Sequence, residues 1–460
     1  MTKKKKNLII RILLVAFICL FLLYIMSETS TGFYRRRLGR YLAKYKLESL
    51  DPLAKPGKNR ILIVAPHPDD ETISSTGIIQ KAVQDGDEVR VVIVTNGDGF
   101  SDIFDDTILA RLRKGSHGVE TGYKRQQESI HGLHSLGLRR TDITFLGYPD
   151  SGVGKMWFEN WSKPYYSIHT KAYSSPFDNS YSLGASHTGE SLSNDIASIL
   201  SIYHPTIIIT PSYYDFHPDH RGCTNFVVSE IEKLRKNNVK WVDQVKIYYY
   251  LVHYGQLRWP RPWGYRPFEP LAPPPGLSTM NLEWFHFPLS EKMVEIKKEA
   301  MDQYSSQIKI MRDYMYAFVR NEELFGIHYW NDTLMLDPSS DFISKEFLKG
   351  SDFVSMIVSR SPDQVKFKLV ASPKGIPGII SYRMRIVYYE RKQNGNITET
   401  RDQLKLEPRK NSTFSGTEIE TTLSTKAYPD LFAIYVTVES YPRFSSLLID
   451  KIPWSFFRLK

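Results

Sequence analysis

Two short runs carry the side chains best suited to chemistry: His67-Pro68-Asp69-Asp70-Glu71 and His217-Pro218-Asp219-His220. Between them they offer three His and three Asp. Imidazole nitrogen and carboxylate oxygen are the ligands a zinc-like divalent ion accepts, and a catalytic centre keeps one position open for water or substrate. His67 and Asp70 are three residues apart across a strand-to-helix turn, so both can point at one ion. One His of the second run would complete three protein ligands. Asp69 is then free to take a proton from the hydrolytic water. The other His of the second run is free to stabilise or protonate the far side of the reacting group. Such a set suffices for metal-assisted hydrolysis of an amide or ester.

The surrounding elements must bring the two runs together. Residues 60–65 (RILIVA) are apolar after the first residue, as in a strand buried on both faces, and 206–210 (TIIIT) read the same way. The pattern predicts a helix over 70–85 ending at Asp85-Gly86, a strand over 88–95 and a helix over 123–137. It continues with a short strand over 143–146 and helices over 191–203 and 221–236. This alternation predicts a Rossmann-like α/β domain over 58–335, with a mostly parallel sheet and flanking helices. In such sheets ligands bind beyond the carboxyl ends of the strands. Both runs lie just past a strand and so project onto one sheet edge, although 150 residues separate them. A Pro-, Trp- and Tyr-rich segment over 255–280 reads as a long loop, and 291–319 resumes a helical pattern. Past 350 the grammar changes. Val365, Phe367 and Leu369 alternate with lysines, and Tyr382, Met384, Ile386 and Tyr388 repeat at period two. Residues 350–460 therefore read as a C-terminal β-sandwich-like domain.

The net charge of +10 resembles a nucleic-acid signal, but its distribution removes that reading. Residues 1–46 hold eleven Lys and Arg against one acid, and the rest of the chain balances. A nucleic-acid partner is not expected. Lys3 to Lys6 precede an apolar stretch over 8–26 broken only by Arg11. Nineteen residues rise about 28 Å as a helix, about the hydrocarbon thickness of a bilayer. Residues 1–57 are therefore expected to form a single-pass transmembrane anchor and a juxtamembrane linker in contact with membrane lipid. The Lys run favours a cytoplasmic N-terminus with the catalytic domain outside the cytoplasm. The arginines Arg35, Arg36, Arg37 and Arg40 support the alternative, a domain on the cytoplasmic face. Only Cys19 and Cys223 are present, which excludes a Cys-based zinc site in the folded part.

At these residues the chain resembles the LmbE-like, or PIG-L-like, zinc-dependent N-deacetylases. The resemblance runs over about 58–330. It covers Pro66 to Glu71, then Thr95-Asn96-Gly97-Asp98, Arg125 with Glu128, and Leu146 to Gly152. It closes with Asp215 to Arg221 and a helical stretch with Lys297, Ser306 and Gln307. It implies that His67, Asp70 and His220 bind Zn2+, that Asp69 is the general base, and that His217 stabilises the oxyanion and protonates the leaving amine. Asp219 would orient His217. Arg125 and Asp150 match positions that contact the substrate sugar, and Asp98, in the turn Asn96-Gly97-Asp98-Gly99, is a further substrate-binding candidate. The implied activity is removal of the N-acetyl group from an N-acetylhexosamine in a lipid-linked or cell-envelope glycoconjugate. The alternatives are an amidase acting on a non-sugar amide and a glycan-binding protein with a vestigial site. The aromatic-rich insertion over 153–190 and the β-rich C-terminal region lie outside the family pattern, so they leave the substrate open.

Overall fold

The computed structural model describes residues 48–49, 52–53, 58–100, 117–254, 259–274, 282–328 and 333–335, and most of the strands between 353 and 458. The expected anchor over 8–26 lies outside the described residues. Among those described, no helix is long and apolar enough to cross a membrane.

The first half is built from β1 (Arg60–Ala65), α1 (Asp70–Asp85), β2 (Glu88–Thr95), α2 (Gly118–Ser135) and β3 (Ile143–Tyr148). The short α3 (Val153–Met156), α4 (Gly189–Tyr203), β4 (Ile207–Pro211), α5 (Pro218–Lys236) and β5 (Lys246–Tyr250) follow. Then come β6 (Leu282–Pro288), α6 (Glu291–Met301), α7 (Ser305–Tyr316) and β7 (Glu322–His328). The seven strands lie side by side in the order β6-β7-β5-β4-β1-β2-β3. The pairs within β3-β2-β1-β4-β5 are parallel, whereas β7 runs antiparallel to both β5 and β6.

Continuous apolar runs put both faces of this sheet in the core. Leu62, Val64, Val92 and Val94 join α4 and α5 in one cluster, and the alternate residues Ile61, Ile63, Val91 and Ile93 are fully buried as well. Each such side chain contributes about 1.5–3 kcal/mol by leaving water. Helix α1 ends where Gly86 takes φ 75° and its N–H caps the carbonyls of Ala82 and Val83, a left-handed cap that glycine adopts without steric cost. Chain order reverses between β1 and β4, so the loops after these two strands flank the crevice at the switch point.

Local differences from the sequence pattern have physical causes. The helix expected over 291–319 is divided, because the chain breaks at Asp302–Tyr304 before α7. Helix α5 begins at Pro218 rather than Arg221, because His217 is its N-cap and proline suits the first helical position. Strands β5, β6 and β7 were not expected. They are short, aromatic-rich or carry glutamates whose partners come from distant segments. The 153–190 insertion is mostly irregular, tied by bridges between Ser167 and Ala172 and between Ser174 and Ser186.

The C-terminal strands are β8 (Thr333–Met335), β9 (Phe353–Ser361), β10 (Gln364–Ala371), β11 (Ile380–Arg391) and β12 (Ile397–Leu406), then β13 (Thr417–Ser424), β14 (Leu431–Pro442) and β15 (Asp450–Arg458). They make two four-stranded sheets, β13-β10-β9-β8 and β12-β11-β14-β15, with antiparallel pairing throughout. In the second sheet the two central strands, β11 and β14, are buried on both faces. Val387, Tyr389, Ala433 and Tyr435 pack into the cluster that holds Trp157 and Phe226, and Met384, Ile386, Ile434 and Val436 are buried in alternation with them. Arg401 lies 3.4 Å above the Trp161 ring and donates to the Trp157 carbonyl, joining this sheet to the insertion.

Candidate active site and metal centre

The loops after β1 and β4 bring both His-Pro-Asp runs into one buried cluster. His67 Nδ1 and His220 Nε2 lie 3.2 Å from the same oxygen, Asp70 Oδ2. The His67 N–H also donates to that oxygen at 3.0 Å, which fixes the turn. The ring of His217 stands 4.7 Å from that of His67 and 5.3 Å from that of His220. Donor atoms of His67, His217 and His220 all lie within 4.8 Å of one another.

Charge shapes the cluster. Burial works against a charge on His220, yet Asp215 and Asp70 push its pKa up to about 9. Burial likewise opposes a charge on His67, but Asp150, Asp219 and Asp70 hold its pKa well above the usual imidazole value. Asp70 is held well below the carboxylate range, because His220 and His67 outweigh its burial. Both ring nitrogens of His220 are buried and lack a well-directed hydrogen bond, although each has a carboxylate oxygen 3.1–3.2 Å away. Two imidazoles aimed at one carboxylate oxygen, with more carboxylates behind them, fit a divalent cation held by His67, Asp70 and His220. Asp215, 3.1 Å from His220 Nδ1, stands where a carboxylate orients a ligating imidazole.

Asp69 is the N-cap of α1 with φ 134°, a left-handed backbone that a side chain rarely adopts. Two anchors keep it there. Its N–H donates to Glu71 Oε2 at 3.0 Å, and Arg125 donates to its Oδ2 at 3.3 Å and to the Pro68 carbonyl at 2.7 Å. Glu71 is fully buried and also accepts from Ser129 Oγ at 2.7 Å and Tyr304 OH at 2.6 Å. Burial pushes the Asp69 carboxyl up to about 8 against the pull of Arg125.

The remaining expected residues take varied places. Arg125 is buried and braces the Asp69 turn, also donating to the Gly97 carbonyl at 3.1 Å. Asp150 Oδ1 lies 3.6 Å from His67 Nε2. Asp98 accepts the Asp150 N–H at 3.3 Å, and its other oxygen is buried with no hydrogen-bond partner among the described residues. Burial, then Asp150, pushes the Asp98 carboxyl up to about 7. Asp219 departs from its implied role. Its carboxylate accepts the N–H groups of Ser151 at 2.6 Å, Val153 at 3.0 Å and Gly154 at 3.4 Å, and its Oδ2 lies 3.3 Å from His67 Nε2. No hydrogen bond joins it to the His217 ring. Instead His217 Nδ1 accepts the Asp219 backbone N–H at 3.2 Å, the geometry of a helix cap. The carboxylate therefore pins the loop after β3 and steadies His67.

The sequence reading gave no role to Glu71, Asp215 or His253. Glu71 lies inside the first run and Asp215 two residues before the second, so only their roles were missed. His253 follows β5, and its signal was the end of a third parallel strand.

Residues 62–231 match the family model described as PIG-L, GlcNAc-PI de-N-acetylase. A glucosamine-6-phosphate deaminase-like protein of Bacteroides thetaiotaomicron is 25% identical over 223 residues, 43% of this chain. The match spans only 31% of that relative's length. Among solved structures, the zinc-inhibited form of teicoplanin deacetylase matches with TM-score 0.37 at 17% identity, covering 59% of this chain and 99% of that one. The N,N'-diacetylchitobiose deacetylase of Pyrococcus horikoshii matches with TM-score 0.35 at 18% identity, covering 58% and 82%. From the family match and the two motifs at the sheet's switch point, residues 62–231 are a PIG-L, LmbE-like domain.

Proposed function

We propose that this chain is a metal-dependent N-deacetylase that removes the acetyl group from an N-acetylhexosamine in a lipid-linked or cell-envelope glycoconjugate. The observation that carries the reading is the convergence of His67 and His220 on one Asp70 oxygen, with the strained Asp69 next in the chain. The family description, GlcNAc-PI de-N-acetylase, supports the sugar substrate. His67, Asp70 and His220 would hold Zn2+ or another divalent metal, which when bound polarises the amide carbonyl and acidifies water. Asp69 takes the proton from the water that attacks the acetyl carbonyl. His217 donates from Nε2 to the developing oxyanion, since its Nδ1 already accepts a backbone N–H. A proton on Nδ1 would face that N–H, so we assign delivery of a proton to the departing amine to Asp69 rather than to His217. Asp150, a buried carboxylate beside His67, and Asp98, buried next to Asp150, are assigned to the sugar hydroxyls. The apolar segment 8–26 would anchor the enzyme in the membrane as a single-pass protein, with the catalytic domain outside the cytoplasm and near such a substrate.

Acetate release from a panel of N-acetylhexosamines, free, lipid-linked and within envelope glycans, tests the reading. Turnover that requires metal and Asp69 supports it. Turnover confined to non-sugar amides assigns the site to an amidase. No turnover, with glycan binding unchanged in Asp69→Ala, assigns it to a binding protein.

A further inference from the structure

We propose that His253 is a fourth protein ligand of the metal centre, acting through Nε2. The inference rests on the metal reading above and extends it to a residue outside both His-Pro-Asp runs.

Strand β5 is the parallel neighbour of β4, and the chain leaves it at Tyr250 on the edge already occupied by the loops after β1 and β4. His253 is three residues on. Its backbone is tied to the second motif. Asp215 Oδ2 accepts the N–H groups of Val252 at 3.0 Å and His253 at 2.9 Å, and the His253 carbonyl accepts the Phe216 N–H at 2.7 Å. One carboxylate thus holds His253 and also stands beside His220. The His253 ring lies 4.8 Å from that of His220 and 5.4 Å from that of His217. Donor atoms of Asp70, His220 and His253 all lie within 4.8 Å of one another.

The protonation pattern suits a ligand. Tyr314 stacks on the His253 ring at 6.1 Å with the planes 10° apart. Its hydroxyl donates to the Val252 carbonyl at 2.8 Å, so it offers His253 Nδ1, 3.4 Å away, only a lone pair. The imidazole proton therefore belongs on Nδ1. No hydrogen bond engages Nε2 among the described residues, which leaves its lone pair available to the cluster. A partner that fixes one ring nitrogen so that the other can ligate is the usual arrangement behind a metal-bound histidine.

The test uses the full chain, stripped of metal and titrated with zinc against a competing chelator, together with the visible spectrum of the cobalt-substituted protein. His253→Ala and the bulkier His253→Gln are compared with Tyr314→Phe and His67→Ala. The proposal expects zinc affinity to fall at least tenfold in both His253 variants and the cobalt bands to shift, with a smaller loss in Tyr314→Phe. Affinities within twofold of wild type and superimposable spectra in the folded His253→Gln variant would overturn it, while loss of metal in His67→Ala would leave the metal reading standing. A wild-type chain that binds neither ion overturns both. If His253→Ala fails to fold, His253→Gln and Tyr314→Phe decide.

Discussion

Replacing Glu71 with Leu removes the acceptor that keeps Asp69 in its left-handed turn while preserving most of the buried volume. Asp69 at φ 134° stores about 1–3 kcal/mol of backbone strain. The hydrogen bond from its N–H to the Glu71 carboxylate opposes that strain with about 1.5–3 kcal/mol, the range for a bond to a charged group. The two terms are similar, so with Arg125 as the one anchor left the turn relaxes and the base leaves its position. At 1.36 kcal/mol per factor of ten, losing about 1.5–3 kcal/mol lowers kcat by about 10- to 160-fold. The metal ligands are not replaced, so zinc content and KM stay near wild type. Glu71→Gln is expected to restore most of the rate. Its amide oxygen can accept the Asp69 N–H while its NH2 faces the hydroxyls of Ser129 and Tyr304, which can accept. The assay is steady-state acetate release with metal content measured on the same samples. A folded Glu71→Leu enzyme with kcat within threefold of wild type would refute the reasoning, as would equal losses in the Leu and Gln variants.

Three further outcomes follow from the same geometry. Asp69→Ala should keep its metal and lose most activity, whereas His67→Ala should lose both; near wild-type turnover in Asp69→Ala would remove that residue from the role of base. Asp219→Ala leaves the N–H groups of Ser151, Val153 and Gly154 without their acceptor and should lower unfolding stability by about 3 kcal/mol, with a smaller loss in Asp219→Asn. A shift below about 1 kcal/mol in denaturant unfolding would show that water replaces the carboxylate. Arg401→Met should cost about 2 kcal/mol by removing the contact with Trp161 and the bond to Trp157, and an unchanged denaturation midpoint would show that the sheet does not depend on it.

The sequence carried the parts of the fold that local pattern encodes. Apolar runs with His-Pro-Asp beginning within the next seven residues identified β1 and β4, and the strand order then made them neighbours. The antiparallel edge was hidden because its stability is non-local. Strand β7 buries Glu322 and Glu323, which no strand pattern predicts. Glu323 is paired with Lys297 at 2.7 Å, and Glu322 lies 2.7 Å from His286. The site was legible as residue types but only partly as roles. Asp219 looks like a partner for its neighbour in the motif, yet its carboxylate faces three N–H groups after β3 that the sequence places more than sixty residues away. Arg125 looks like a free helix cation until the Asp69 turn is folded against it.

The doubly buried strands β11 and β14 bear on how such a chain can change over time. Trp157 and Phe226 lie under Tyr435, with Trp157 ring centroids 5.1 Å from each of the other two, and Phe226 belongs to the helix whose first turn carries His220. A gene that lost these strands would uncover a large aromatic surface on the back of the catalytic helix. It would survive only with several simultaneous apolar-to-polar replacements there, or with a new partner to cover the same rings. Deletion of the strands is therefore a remote evolutionary step, whereas change in their exposed connections is an accessible one.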